Sequence, residues 1–487
     1  MPFVIDKYKL CDVVIALVLA MFCGLILWNA NWVFEMFWAD DNQFVSTTAI
    51  GKHSHAWTGG GRFWPLGLCD YCLLLLIPFG TTVTAHFIYN CATMIISSWL
   101  FFRFLKKSVG ENSVIPAFCM LVLFSISSFV LIHTACIYPE REMFFMLSVF
   151  LFFYQRAVRE DDYLRDYVIA FIAAAYTTYL KEPVFGMWII FAVANLIFGN
   201  LSSKNRKFNY ALLINSAIWI AIYTYRTLFR DRTFIEGARS YAGVSFSISD
   251  MSLNFMHFFN GEPILYILLI ISVIRCIDIL IDKNSYNFIT DSSLFAGMGY
   301  AFAYVVLKLN GNHYCFPIVL LSLPAFSLIL SKFRSCVIGY VMIGLTILSS
   351  MYSANKSIAW INKISQHRIS DPKMFYELIE QQKSGKQILW ITEKGKEIME
   401  DFREIEQGKF RKYQKFLDYY AKVRGDEHFP FEKVSDYSKI NRDTIVICSD
   451  ETLASSYGKE ITKKIEETGL VLKHSNNDLG AKIFSSK

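Results

Sequence analysis

Long apolar runs separated by short polar breaks organise the chain as far as Ser353, and beyond it the pattern changes. A bilayer crossing takes about 20 apolar residues. By that measure the runs at 10–30, 81–102, 113–134, 142–155, 166–180, 184–199, 209–229, 263–281, 292–309, 315–330 and 335–353 predict about eleven spans, some of them short. Leu68–Phe79 is apolar too, but Pro78 and Gly80 break it, so it predicts a piece dipping into the membrane surface. The first run follows Lys7 and Lys9 and ends in Trp28, Asn29 and Asn31. A cleaved signal peptide has a shorter apolar core and small residues at its end, so this run reads as a retained span with a cytoplasmic N-terminus. After Ser353, Gln387–Thr392 and Thr444–Cys448 read as short buried strands. Residues 371–383, 394–422 and 451–468 read as helices, and 469–485 as two closing strands around Ser475–Asp478. The expectation is an α-helical polytopic membrane domain over 1–354 and a small soluble α/β domain over 355–487.

Composition agrees. The chain is 54% hydrophobic and 16% aromatic, with a mean hydropathy of +0.34, too apolar for a soluble globular protein. Of its 48 Lys and Arg residues 24 follow Ala354, as do 21 of its 42 Asp and Glu residues, which sets the tail apart as water-soluble. A net charge of +6, spread along the chain, gives no case for a nucleic-acid partner. Basic residues fix the orientation instead. Arg103, Lys106 and Lys107, then Arg156, Arg159 and Arg165, then Lys204, Arg206 and Lys207, then Lys283, then Lys332 and Arg334 all fall in loops that are cytoplasmic if the N-terminus is. An odd number of spans then puts the 31–68 loop and the tail outside the cytoplasm. The cysteines lie mostly in apolar runs, where the thiol acts as a small hydrophobe. Cys69 and Cys72 have a C-x-x-C spacing without the strand–helix setting of a redox motif.

Four outer stretches carry polar groups that could do chemistry. The 31–68 loop has Asp40 and Asp41, then Gly59-Gly60-Gly61 and Arg62-Phe63-Trp64-Pro65. A carboxylate at a membrane surface can take a proton from a hydroxyl, whereas the bland reading is a solvated acidic pair closing a span. Tyr138-Pro139-Glu140-Arg141-Glu142 is a second acidic loop, or simply a polar turn. Lys181-Glu182-Pro183 is an ion pair at a span junction, or helix capping with Pro183 starting the next helix. His313 and Tyr314 open a late span, a place where such rings often serve as interfacial trim. The outer loop 230–262, with Arg230, Arg232 and Arg239, is more basic than an ordinary outer loop.

Taken together, these stretches resemble the GT-C superfamily, polytopic transferases that use polyprenyl-phosphate-linked sugars and include the membrane aminoarabinose transferases and protein O-mannosyltransferases. The resemblance rests on Trp38-Ala-Asp40-Asp41 after the first span, Gly61-Arg62-Phe63-Trp64-Pro65 about twenty residues on, Lys181-Glu182-Pro183, and His313-Tyr314-Cys315-Phe316-Pro317. It covers the membrane domain in order and layout, and the tail only in position. Two departures stand out: the acid pair is Asp-Asp where the family commonly has Asp-Glu, and Gln43 stands where some members have Arg.

The resemblance implies an inverting glycosyltransferase of hexosyl type in a bacterial inner membrane, with 31–68 as its catalytic outer loop. Asp40 or Asp41 would be the general base. Lys181, Arg62, Arg230, Arg232, Arg239, His313 and Tyr314 would bind the donor phosphate, and Glu140 or Glu142 would fill the acidic place in the second outer loop. No cofactor is required by this reading, and a divalent metal held by acids of the first two outer loops stays open. The partners expected are a polyprenyl-phosphate-linked sugar, a surface-glycan acceptor (lipopolysaccharide or O-antigen) or a protein one, and membrane lipids. The layout is also similar to that of O-antigen-modifying glucosyltransferases. Two rivals differ in where charge belongs. An O-antigen polymerase or ligase would use a large basic outer loop as its main site, and a transporter or flippase would place charges mid-span.

Overall fold

The computed structural model describes residues 7–30, 63–78, 83–110, 114–135, 138–159, 163–226, 247–309, 311–392, 431–476 and 481–486, with most of 409–421 and Asp426. They fall into two compact units that divide between Ile364 and Ser365.

The first unit is helical. Its helices are α1 (Lys7–Asn29), α2 (Val83–Ser108), α3 (Val114–Ser125), α4 (Ser127–Thr134), α5 (Glu140–Arg159), α6 (Leu164–Thr178), α7 (Val184–Phe198), α8 (Ser203–Thr224), α9 (Ile248–Gly261), α10 (Ile264–Ile281), α11 (Thr290–Val306), α12 (Cys315–Phe333) and α13 (Val337–Lys383), the last running on into the second unit. Among the described residues four helical stretches are long and apolar enough to cross a membrane: Thr84–Ser108, Ile264–Ile281, Asn312–Phe333 and Val337–Lys383. A fifth is counted if the bent pair α3–α4 is one span. Leu17, Met21 and Leu25 of α1 and Leu280 and Ile281 of α10 are among many large apolar side chains left exposed on this unit. Lipid is the solvent that suits such faces.

Three local features shape this unit. The run at 113–134 is bent by 65° between α3 and α4, where Ile126 is extended. The break frees backbone donors, and a distant carboxylate meets them: buried Glu262 accepts from Ser128 N–H at 3.1 Å, from the Ser127 hydroxyl, and from the Ser353 hydroxyl of α13 at 2.6 Å. Gly297 of α11 lies so close to α12 that an added Cβ would sit 3.1 Å from the Ile318 carbonyl oxygen and from Ser322 Oγ. At the α10–α11 turn, buried Arg275 holds Asp291 through two hydrogen bonds of 2.9 and 2.8 Å and donates to the Ser285 carbonyl. Leu68–Phe79, expected to dip into the surface, opens as a 3₁₀ helix over Cys69–Leu76.

The second unit is a three-layer α/β/α domain. Strands β1 (Gln387–Ile391), β2 (Glu432–Val434), β3 (Thr444–Ser449), β4 (Val471–Asn476) and β5 (Ala481–Ser485) form one sheet in the order β2-β1-β3-β5-β4. The first three are parallel and the closing pair antiparallel. The end of α13 and residues 409–421 cover one face through Phe375, Ile379, Phe416 and Tyr420. Helices α14 (Asp450–Ala454) and α15 (Ser456–Thr468) lie on the other, with Ile461 and Ile465 against Val446 and Cys448. Strand β2 was not expected from the sequence. Three residues, two of them charged, carry no alternation to read.

Candidate active site

Three of the stretches singled out in the sequence, at 138–142, 181–183 and 313–314, meet at one end of the helical unit. Helix α5 begins at Glu140, α6 ends just before Lys181-Glu182, and α12 begins just after His313-Tyr314. Each helix therefore delivers its polar residues to the same end, and the exit of the first loop, Phe63–Leu68, is laid across them.

Lys181 is the centre of this end. Its ammonium is buried, 3.2 Å from Glu140 Oε1, and lies 5.1 Å from the centroid of the Tyr314 ring and 5.4 Å from that of Trp64. Both distances are within range for attraction between a cation and a ring face. Tyr314 in turn stacks on Tyr304 of α11 with centroids 4.0 Å apart, and the His313 ring lies 4.7 Å from that of Tyr138. Thus Lys181, His313, Tyr314 and Glu140, expected to act together, share one cluster.

A second set of contacts fixes the first-loop exit in place. Phe63 N–H donates to Glu182 Oε1 at 3.0 Å, and Leu66 N–H donates to the Tyr179 carbonyl at 3.2 Å. Leu68 is in the left-handed region with φ 61°, which turns two backbone donors toward one carboxylate. Glu142 accepts from Leu68 N–H at 3.0 Å, from Asp70 N–H at 3.1 Å, and from the Tyr176 hydroxyl. Converging backbone N–H groups are a favourable setting for an anion. Arg141, between the two glutamates, grips Asp70 through two bonds of 2.7 and 2.9 Å and lies over the Tyr71 ring at 4.3 Å. The two glutamates of the second loop therefore face different tasks, Glu140 toward the lysine and Glu142 toward the backbone of the first-loop exit.

Asp40, Asp41, Arg62, Arg230, Arg232 and Arg239 lie outside the described residues. Among the described residues no three His, Cys, Asp or Glu side chains group as ligands for a metal ion. Two contributors went unread in the sequence: Trp64 as a ring on Lys181, and the Arg141–Asp70 pair. Arg141 stood inside a noted motif, but its partner is 71 residues away in the chain.

Neither a protein-family model nor a curated protein sequence matches the chain. Among solved structures it is similar to ArnT from Cupriavidus metallidurans. With ArnT bound to undecaprenyl phosphate the TM-score is 0.50 at 9% identity, over 98% of this chain and 97% of that one. With the apo state of ArnT it is 0.51, at the same identity and coverage. It is also similar to an oligosaccharyltransferase of Archaeoglobus fulgidus, at TM-score 0.48 and 10% identity, over 97% of this chain and 73% of that one. At such identities the likeness to ArnT is one of fold. The chain has an ArnT-like fold, a helical domain with several apolar spans followed by a small mixed sheet.

Proposed function

We propose that this protein is an inverting glycosyltransferase that moves a sugar from a polyprenyl-phosphate donor to an acceptor at the outer face of a bacterial inner membrane. The observation that carries the proposal is the buried Lys181 ammonium, set between two aromatic rings where the first-loop exit is fastened. Charge builds on the departing phosphate in such a reaction, and a fixed cation in a water-poor site stabilises it more than water would. The ArnT structure bound to undecaprenyl phosphate supports a lipid phosphate as the ligand class.

In this reading the acceptor hydroxyl attacks the anomeric carbon opposite the phosphate. Asp40 takes its proton, and Asp41 orients the loop or the acceptor. Arg62 and the arginines at 230, 232 and 239 add positive charge around the phosphate. No metal is required, and the acceptor is a surface glycan of the lipopolysaccharide or O-antigen type.

The test is mass spectrometry of surface glycans from a deletion strain complemented with wild type, Asp40→Asn or Lys181→Gln. General base catalysis is worth about 10²–10⁴-fold. Wild type should restore a hexose that the deletion lacks, while Asp40→Asn should leave it missing at normal protein level. Full restoration by both variants would sink the proposal.

A further inference from the structure

Lys181 is not waiting open for an anion. It already has one, the Glu140 carboxylate at 3.2 Å, and both side chains are buried. Resting on the reading above, we propose that Glu140 is the internal counter-ion of Lys181, and that a lipid-linked phosphate binds here by displacing it.

The argument is one of charge balance. A buried ammonium deprived of its partner is strongly destabilising, so before the donor arrives some anion must sit beside Lys181. A phosphate reaching Lys181 while Glu140 stays would have to share that ammonium with the carboxylate already on it. Exchange avoids both costs, because one carboxylate leaves as one phosphate charge arrives. The position of Glu140 suits it to leave. It is the first residue of α5, where no preceding helical turn confines its rotamer. Moreover, the dipole of the helix N-terminus continues to favour a negative charge there after the lysine is released. Glu142, two residues on, lacks that freedom, since two backbone N–H groups and Tyr176 hold it. The Trp64 and Tyr314 rings give Lys181 contacts besides the one to Glu140, and these keep it in place through the exchange. When the phosphate departs, Glu140 returns to the lysine and the site resets without water entering.

The experiment measures binding of undecaprenyl phosphate, inorganic phosphate and the uncharged alcohol undecaprenol to the full chain in lipid nanodiscs. Removing the competing carboxylate with Glu140→Gln should tighten undecaprenyl phosphate binding about tenfold or more, a charge-assisted contact no longer being contested. Undecaprenol should show no change, and inorganic phosphate should gain only if the headgroup alone is recognised. Lys181→Gln should lose the phosphate-dependent part, and the double variant should show no gain. If Glu140→Gln binds no tighter while Lys181→Gln binds weakly, Glu140 merely shapes the lysine's surroundings and this inference is overturned, with the donor reading left standing. If Lys181→Gln binds undecaprenyl phosphate like wild type, the donor reading fails as well. Should Glu140→Gln not fold, Glu140→Asp keeps the charge and shortens the reach. Tighter binding by it supports the exchange, and equal or weaker binding overturns it.

Discussion

At the scale of single residues, the informative contrast is between two glutamates two positions apart. Glu140 faces a cation, and Glu142 faces three donors: Leu68 N–H, Asp70 N–H and the Tyr176 hydroxyl. An ionised carboxylate accepts on both oxygens and donates nothing, so it can meet all three. Glutamine cannot, because its NH₂ would be turned toward donors. Leaving a buried donor unmet costs about 1–3 kcal/mol. Glu142→Gln is therefore expected to lower the thermal unfolding temperature of the purified protein clearly, whereas Tyr176→Phe, which removes one donor and leaves the carboxylate paired, should lower it little. Equal losses from the two single variants would show that the carboxylate is not the organiser of this turn. The consecutive Asp40 and Asp41 pose a related question outside the described residues: side chains of neighbours point in different directions, so Asp41→Asn should be the milder of the two for transfer.

At the scale of elements, the 3₁₀ helix Cys69–Leu76 is tied to the start of α5 by Arg141, whose guanidinium holds Asp70 and lies over Tyr71. Breaking such a buried pair from one side costs about 3–5 kcal/mol. In Arg141→Gln the segment should loosen, and half-buried Cys69, whose Sγ donates to the Pro65 carbonyl at 3.7 Å, should react several-fold faster with a membrane-permeant maleimide, read by site-resolved mass spectrometry. Unchanged labelling at Cys69 would mean that Arg141 does not anchor the segment. This clasp also marks the limit of what sequence reveals. The apolar runs announced nearly every described helix of the first unit, because lipid demands apolar length and periodicity is local. The bend at Ile126 was not legible. Ser125-Ile126-Ser127-Ser128 contains no Pro or Gly, and the carboxylate that satisfies the break, Glu262, arrives from 134 residues away. Helix α9 was hidden likewise, its stretch reading as a basic outer loop although Phe258 and Phe259 are buried. The residues of the lysine cluster were each visible as motifs, but not that Glu140 pairs with Lys181 or that Trp64 and Tyr314 flank it. Those facts are set by helix packing between residues far apart in the chain.

At the scale of the whole molecule, the polarity of the helical unit carries the functional reading. Helix α5 leaves the lysine cluster and α6 returns to it; the end of α5 meets the end of α2, at Arg103–Lys107, and the start of α8, at Lys204–Lys207, through Gln155–Ser108 and Tyr154–Asn205, away from Glu140, Lys181, Glu182 and Tyr314. Basic residues concentrate on the cytoplasmic side of bacterial membranes because they resist translocation. The lysine cluster should therefore face outward, where a lipid-linked sugar meets a surface acceptor rather than a soluble cytoplasmic donor. A long domain translocates largely regardless of its charge, so the 24 Lys and Arg against 21 Asp and Glu after Ala354 do not oppose an outer position for the tail. A reporter that is active only outside the cytoplasm should accordingly be active when fused after Lys487 and silent when fused after Lys207, near the start of α8. Activity after Lys207 with silence after Lys487 would place Lys181 and Glu140 in the cytoplasm. The cluster would then face nucleotide-linked sugars and soluble phosphates, and transfer to a surface glycan would no longer be the chemistry that its geometry serves.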